Sequence, residues 1–235
     1  MLDLSSAAAT AMHLIASLDA ALLEIVLLSL RISLSAVIIG SIIGLPIGAA
    51  IAVGRFFGRE FLIMLVNALM GLPPVVVGLI VYLQLSRTGP FGSLQMLYTP
   101  AAMIIAQVIL VTPIVIALTR QFVEDANADY DEQLRSLGVR GWAKLTTLIN
   151  EIRFSLITVI LAAFGRAIAE VGAVIIVGGN INHVTRVMTT SITLETSKGN
   201  LGLALALGII LMLLALAMNA MATIVGHLGK VRAYA

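Results

Sequence analysis

"DYDEQLRSLGVRGWAKLTTLINEIR", residues 129–153, is the densest run of charge in a chain that is 60% hydrophobic and only 11% charged, and it holds two glycines. It divides into two amphipathic pieces. Residues 129–137 read as a helix with Asp131, Glu132 and Arg135 on wet positions. Gly138 ends it, because glycine tolerates the left-handed conformation that follows a helix C-terminus. A second helix follows from about Arg140 to Asn150. Its Trp142, Leu145, Leu148 and Ile149 recur at i, i+3, i+6 and i+7, which is one face. That apolar stripe needs a cover, either the chain's own membrane end or a groove in another protein.

The sequence around this block is apolar enough to have lipid as its solvent. Soluble domains carry about 25% charged residues, whereas the mean hydropathy here is +1.09. A bilayer core about 30 Å thick needs ~20 apolar residues in a helix. Five stretches qualify, roughly Ile25–Val53, Phe61–Leu85, Met96–Thr119, Ser155–Val177 and Leu201–Val225. They form one transmembrane domain over residues 1–235, with 1–24 as a weakly amphipathic lead-in that lacks the basic start of a secretory signal and 120–153 as the large loop. The net charge of +2 makes no case for nucleic acid. The lack of cysteine excludes disulfides, thiolate metal sites and Cys nucleophiles. His13, His183 and His227 are scattered, so no metal site is expected, and no catalytic constellation supports an enzyme.

Lys and Arg favour cytoplasmic loops. Nine fall on alternate loops: Arg55, Arg59, Arg120, Arg135, Arg140, Lys144, Arg153, Lys230 and Arg232. The intervening loops hold three, Arg87, Arg186 and Lys198. This asymmetry predicts a multi-pass protein with its N-terminus outside, its C-terminus cytoplasmic and residues 120–153 in the cytoplasm.

Pro46, Pro73, Pro74 and Pro113 interrupt the spans and free carbonyls that neighbours or cavity water must satisfy; they read as ordinary kinks or as marks of a solute path. Gly40, Gly44 and Gly48 permit close helix approach. Arg166 and Glu170 stand at i and i+4 inside a span, where charges face the bundle interior or a cavity. They read either as a packing pair or as the border of a translocation path, with Arg166 offering positive potential to an anion and Glu170 preventing its trapping. Gln107 and Asn219 read as interhelical hydrogen-bond donors. The polar loop after Gly178 reads either as a receiver for an anion from a docked binding protein, with Arg186 and Thr189 as contacts, or as a loop with a short re-entrant helix.

Residues 132–151 resemble the cytoplasmic "EAA" loop of ABC importer permeases. Glu132, Gln133 and Leu134 stand in the Glu-Ala-Ala place, Gly138 keeps its spacing, Leu148 takes the Ile place, and Asn150-Glu151 replace the family's Leu-Pro. "LRISLSAVIIGSIIGLPIGAAIAVGRF", "NALMGLPPVVVGLIVYLQLSRTGPFG" and "FGRAIAEVGAVIIVGGNINHVTRVMTTSITLETSKGNLGLALALGII" are similar to the oxyanion branch of that family, most of all to tungstate permeases, relatives of the molybdate and sulfate proteins. The resemblance implies an all-α, type I importer architecture in the plasma membrane with about five transmembrane helices and a coupling helix. It further implies a homodimer, two ATP-binding subunits below it and an extracytoplasmic binding protein above. No cofactor is then bound by this chain, and ATP and Mg belong to the partner ATPase. This agrees with the lack of a G-x-x-x-x-G-K-[ST] phosphate loop. The coupling joint implied is Glu132, Gln133, Leu137, Gly138, Val139, Trp142 and Leu145. Tungstate is the expected substrate, with molybdate, vanadate or sulfate as alternatives. A self-powered carrier or channel is the competing class; it would show inverted repeats or a filter sequence.

Overall fold

The computed structural model describes residues 4–233, and no strand occurs among the described residues. The helices are α1 (Leu4–Ala16), α2 (Ala20–Val53), α3 (Arg59–Met70), α4 (Pro74–Leu85), α5 (Pro100–Ser136), α6 (Gly141–Glu151), α7 (Arg153–Ile168), α8 (Gly172–Gly178), α9 (Met188–Ser197) and α10 (Leu201–Ala233). Among them α2, α5 and Leu201–Gly226 of α10 are each long and apolar enough to cross a bilayer alone.

The two other expected spans are not continuous helices. Phe61–Leu85 bends by 96° between α3 and α4. Pro73 and Pro74 are the cause: residues before a proline are pushed out of the helical region, and Pro74, with no N–H to lose, then opens α4. Ser155–Val177 also divides, at Ala169–Val171, into α7 and the short α8. Pro46 and Pro113, by contrast, lie within helices that continue through them.

α2 and α5 run in the same direction and form the centre of the bundle. Their contact rests on a ladder of small residues. A Cβ on Gly40 would lie 3.3 Å from Val111, one on Gly44 2.8 Å from Val115, and one on Gly48 2.6 Å from the Ile116 carbonyl. Backbone approach this close is the packing gain available between helices in lipid, where burial of apolar surface drives little. The lead-in folds as α1 and lies on the start of α10, with Thr10 against Gly202.

α5 continues far past its apolar part. Residues 120–136, expected within the loop, are its last turns, and Asp131–Arg135 and Arg120–Glu124 are i,i+4 ion pairs along them. Arg59 of α3 also pairs with Glu124, and its Nε donates to the Ile51 carbonyl at 3.0 Å. The charged end of α5 is thereby tied to the ends of α2 and α3, and it carries α6 directly beyond.

Candidate functional site

Glu170 sits in the gap between α7 and α8. A helix broken at membrane depth exposes backbone groups that must find partners inside the protein, and here side chains supply several of them beside the Glu170 N–H to Ala167 carbonyl bond at 3.2 Å. The Ala167 carbonyl accepts Nε2 of Gln107, from α5, at 3.0 Å. The Glu170 carbonyl accepts Oγ1 of Thr189, from α9, at 2.8 Å. Oε1 of Glu170 accepts the Ala173 N–H in the first turn of α8 at 3.2 Å, and Oε2 accepts Nη1 of Arg166 at 2.5 Å. Glu170 is 4% exposed while the Arg166 side chain is 37% exposed. The pair expected from i,i+4 spacing is therefore formed and unequal. The carboxylate bonds both Arg166 and the start of α8, and the guanidinium reaches the surface with its charge offset.

The second halves of the two broken spans lie back to back beside this pair. A Cβ on Gly172 would stand 2.8 Å from the Val75 side chain, and one on Gly78 would stand 2.8 Å from the Ala173 Cα. The first turns of α4 and α8, each just past a break, are thus held together inside the protein. Gln107 is the interhelical donor expected. Asn219 is not: its amide donates to the Ala215 carbonyl of its own helix at 2.9 Å.

The loop after α8 turns back as the short helix α9. Thr189, expected as a surface contact, is buried, because its hydroxyl is spent on the Glu170 carbonyl. Arg186 is half-buried and donates to Asn182 Oδ1 at 2.9 Å. Ser29 of α2 accepts the Met188 N–H at 2.8 Å, and Thr185 donates to the Gly178 carbonyl at 2.5 Å. Neither residue stood out in the sequence: Ser29 is a lone hydroxyl in an apolar run, and Thr185 is one of several hydroxyls in a polar loop. The loop's exposed rim is Ile181, Asn182, His183 and Val184, with His183 Nδ1 at 2.8 Å from Glu24. Glu195 closes the far end of α9. The hydrogen bond from Lys198 holds its carboxyl below the usual value near 4.5, against burial, with Asn200 adding to the effect.

At the opposite end of the bundle, α5 closes in a full Schellman turn. Gly138 takes φ 73°, its N–H bonds to the Arg135 carbonyl at 3.0 Å, and the Val139 N–H bonds to the Leu134 carbonyl at 2.9 Å. Leu134 and Val139 share one apolar cluster, the contact that accompanies this motif. Gly141, at φ 58°, then turns the chain into α6. Asp131 receives Lys144 of α6 as well as Arg135, and Tyr130 donates to Glu151 at 3.2 Å. Leu148 is 1% exposed, in a cluster with Ala49, Ala52, Val123 and Ile152. The stripe of α6 is thus covered, through Leu145, Leu148 and Ile149, by the chain's own membrane end.

The expected joint accordingly has two sides. Val139 and Leu145 pack inward. Glu132, Gln133, Leu137 and Gly138 face out, and Leu137 is 76% exposed at the tip of the turn. The Trp142 side chain lies outside the described residues. A 68° bend joins α6 to α7, so α6 is held at both ends by helices that enter the bundle.

Residues 40–227 match the family model for the binding-protein-dependent transport system inner membrane component. The chain is 40% identical over 205 residues to a probable anion ABC transporter permease protein of Haloferax volcanii, covering 85% of this chain and 88% of that one. It is 39% identical over 210 residues to the tungstate uptake system permease protein TupB of Peptoclostridium acidaminophilum, covering 89% and 92%. Identity to the sulfate transport system permease protein CysW of Escherichia coli is 29% over 175 residues, covering 71% and 60%.

Proposed function

As this chain belongs to the family of binding-protein-dependent transport system inner membrane components, we propose that it is the permease subunit of an ATP-driven oxyanion importer, with tungstate as its substrate. The identity of 39% to a tungstate permease against 29% to a sulfate permease supports that choice over sulfate. Molybdate and vanadate, with similar chemistry, are its nearest competitors.

The observation that carries the mechanism is the seating of α6. Its inner face is anchored by Leu148 across α2, α5 and α7, while the turn ahead of it presents Leu137, Gln133 and Glu132 outward. A short rigid helix fixed to three helices is a lever. A partner ATPase that grips the exposed turn, binds ATP and Mg and closes would transmit its motion to α5 and α7. α7 ends at the Arg166–Glu170 break, so force applied at α6 arrives where the bundle is least regular. There Arg166 would pass the anion, with Glu170 keeping the local field weak enough for release. A second copy of the chain completes the path, and a binding protein delivers substrate at the end that carries α9.

The Lys and Arg distribution supports a cytoplasmic α6 end. Arg55, Arg59, Arg120, Arg135, Arg140, Lys144 and Arg153 all gather there, which favours an N-terminus outside. Proteoliposomes containing this chain, its ATPase partner and its binding protein test the proposal. ATP-dependent tungstate uptake that requires the loaded binding protein is the expected result. Uptake by this chain alone without ATP would replace it with a secondary carrier.

A further inference from the structure

A groove of about 1010 Å³ opens at the α6 end, between the C-terminus of α2, α5 and α6. Arg55, Arg59, Arg135, Arg140 and Lys144 line it, against the single carboxylate of Asp131. Their neutralisation is uneven. Arg59 pairs with Glu124 and Glu60, while Lys144 and Arg135 share Asp131. The Arg55 and Arg140 side chains are exposed and have no ion pair or hydrogen bond among the described residues. Asn127 also lines the groove, with a buried amide oxygen that has no partner. A flip of that amide presents an N–H donor in its place.

A second observation sets the depth of the groove. The turn that carries Arg55, between α2 and α3, also exposes Phe56 and Phe57, the latter completely, and Phe61 follows on α3 at 64% exposure. Exposed aromatic rings flanked by arginines match the boundary of a bilayer, with rings toward hydrocarbon and cations among headgroups. A freely diffusing oxyanion shares the charge chemistry but gives the rings no role.

We propose that this groove holds the headgroup of an anionic phospholipid, its phosphodiester between Arg55 and Arg140 and its acyl chains along Phe56 and Phe57. The proposal goes beyond the transport reading and requires only that the chain span a membrane.

Native mass spectrometry of the full chain, released from nanodiscs with equal phosphatidylglycerol and phosphatidylcholine, tests it. A basic residue near anionic lipid contributes about fivefold, so the two unpaired arginines predict retention of phosphatidylglycerol by roughly twenty-five-fold over phosphatidylcholine. Arg55→Ala/Arg140→Ala should bring the two lipids near equality. Arg55→Lys/Arg140→Lys should keep the preference, which separates loss of charge from misfolding, and Arg87→Ala at the other end should leave it unchanged. Equal retention by the wild type, or an unchanged preference in the double alanine variant, overturns the proposal. Displacement of the lipid by millimolar inorganic phosphate marks a free-anion site, and its displacement by the ATPase partner marks a protein-covered face; either result overturns it too.

Discussion

The end of α5 and the gap between α7 and α8 are both places where a helix stops, and they stop for opposite reasons. At Gly138 the cause is local. One residue at φ 73° and two backbone hydrogen bonds within six residues close the turn, and a Cβ added there would meet nothing within 4 Å. At Ala169–Val171 there is neither glycine nor proline, and the break exists because side chains from elsewhere hold it. Gln107 and Thr189 satisfy its carbonyls, and Gly172 lets Val75 approach. A local stop yields a compact turn that moves as one piece, which suits a lever. A tertiary stop joins α4, α5, α7 and α9 at one point, which suits the place where motion changes a path.

The contrast is sharpest for substitutions at the break. Glu170→Leu removes the cap on Ala173 and leaves Arg166 unpaired. It should destabilise by about 3 kcal/mol, at the low end for a broken buried pair because Arg166 reaches the surface. Glu170→Gln keeps an acceptor for Ala173 and should cost about half as much. Thermal unfolding of the detergent-solubilised chain reads both, and a Leu variant as stable as wild type would mean that the break does not need its carboxylate.

Leu148→Ala should cost about 2–3 kcal/mol, the lower range for a buried leucine, since α6 can partly settle into the space. Its signature is functional. With α6 loosened, the assembled transporter should hydrolyse ATP while tungstate uptake falls. Uptake that declines in step with ATP hydrolysis would break the distinction between anchor and motor contact.

Gly138→Val should cost roughly 1–2 kcal/mol through backbone strain alone, because no neighbour crowds the site. Gly138→Asn should recover part of that loss, since asparagine tolerates positive φ. Both should insert normally, and transport should follow the order Gly, Asn, Val. Normal transport by the Val variant removes the lever assignment.

The smallest effect is acidic loosening of α9. The Glu195 carboxyl is lowered in the folded chain, so its contribution is complete above its usual value near 4.5 and is lost as pH falls through the lowered folded value. Lys198 is half exposed, which keeps the term below about 1 kcal/mol. Hydrogen exchange at residues 188–197 should rise below that pH in the wild type and lose this dependence in Glu195→Gln.

The same contrast explains what could be read from the chain alone. The three unbroken spans, the stop at Gly138, the amphipathic α6 and the Arg166–Glu170 pair are written in period, glycine placement and i,i+4 spacing, all of which are local. The bend at Pro73–Pro74 is legible too, though Pro46 and Pro113 carry the same signal without a break. The division of Ser155–Val177 is not legible, because its causes lie on other helices. For the same reason Thr189 reads as a surface residue until Glu170 is placed beneath it, and Asn219 reads as an interhelical donor although its own helix supplies the acceptor. The length of α5 is misjudged because the loss of apolar character after Thr119 ends a span without ending a helix; Arg120–Glu124 and Asp131–Arg135 carry the helix on.

The most direct test of the lever uses the absence of cysteine from the chain. Leu137→Cys introduces a single thiol at the exposed tip of the turn, and a short bifunctional reagent can capture whatever grips it in the assembled transporter. The account predicts a crosslink to the ATPase partner whose yield changes between the nucleotide-free and ATP-bound states, with none to the binding protein. A transporter that hydrolyses ATP and imports tungstate while Cys at this position forms no crosslink to the ATPase in either state would contradict it.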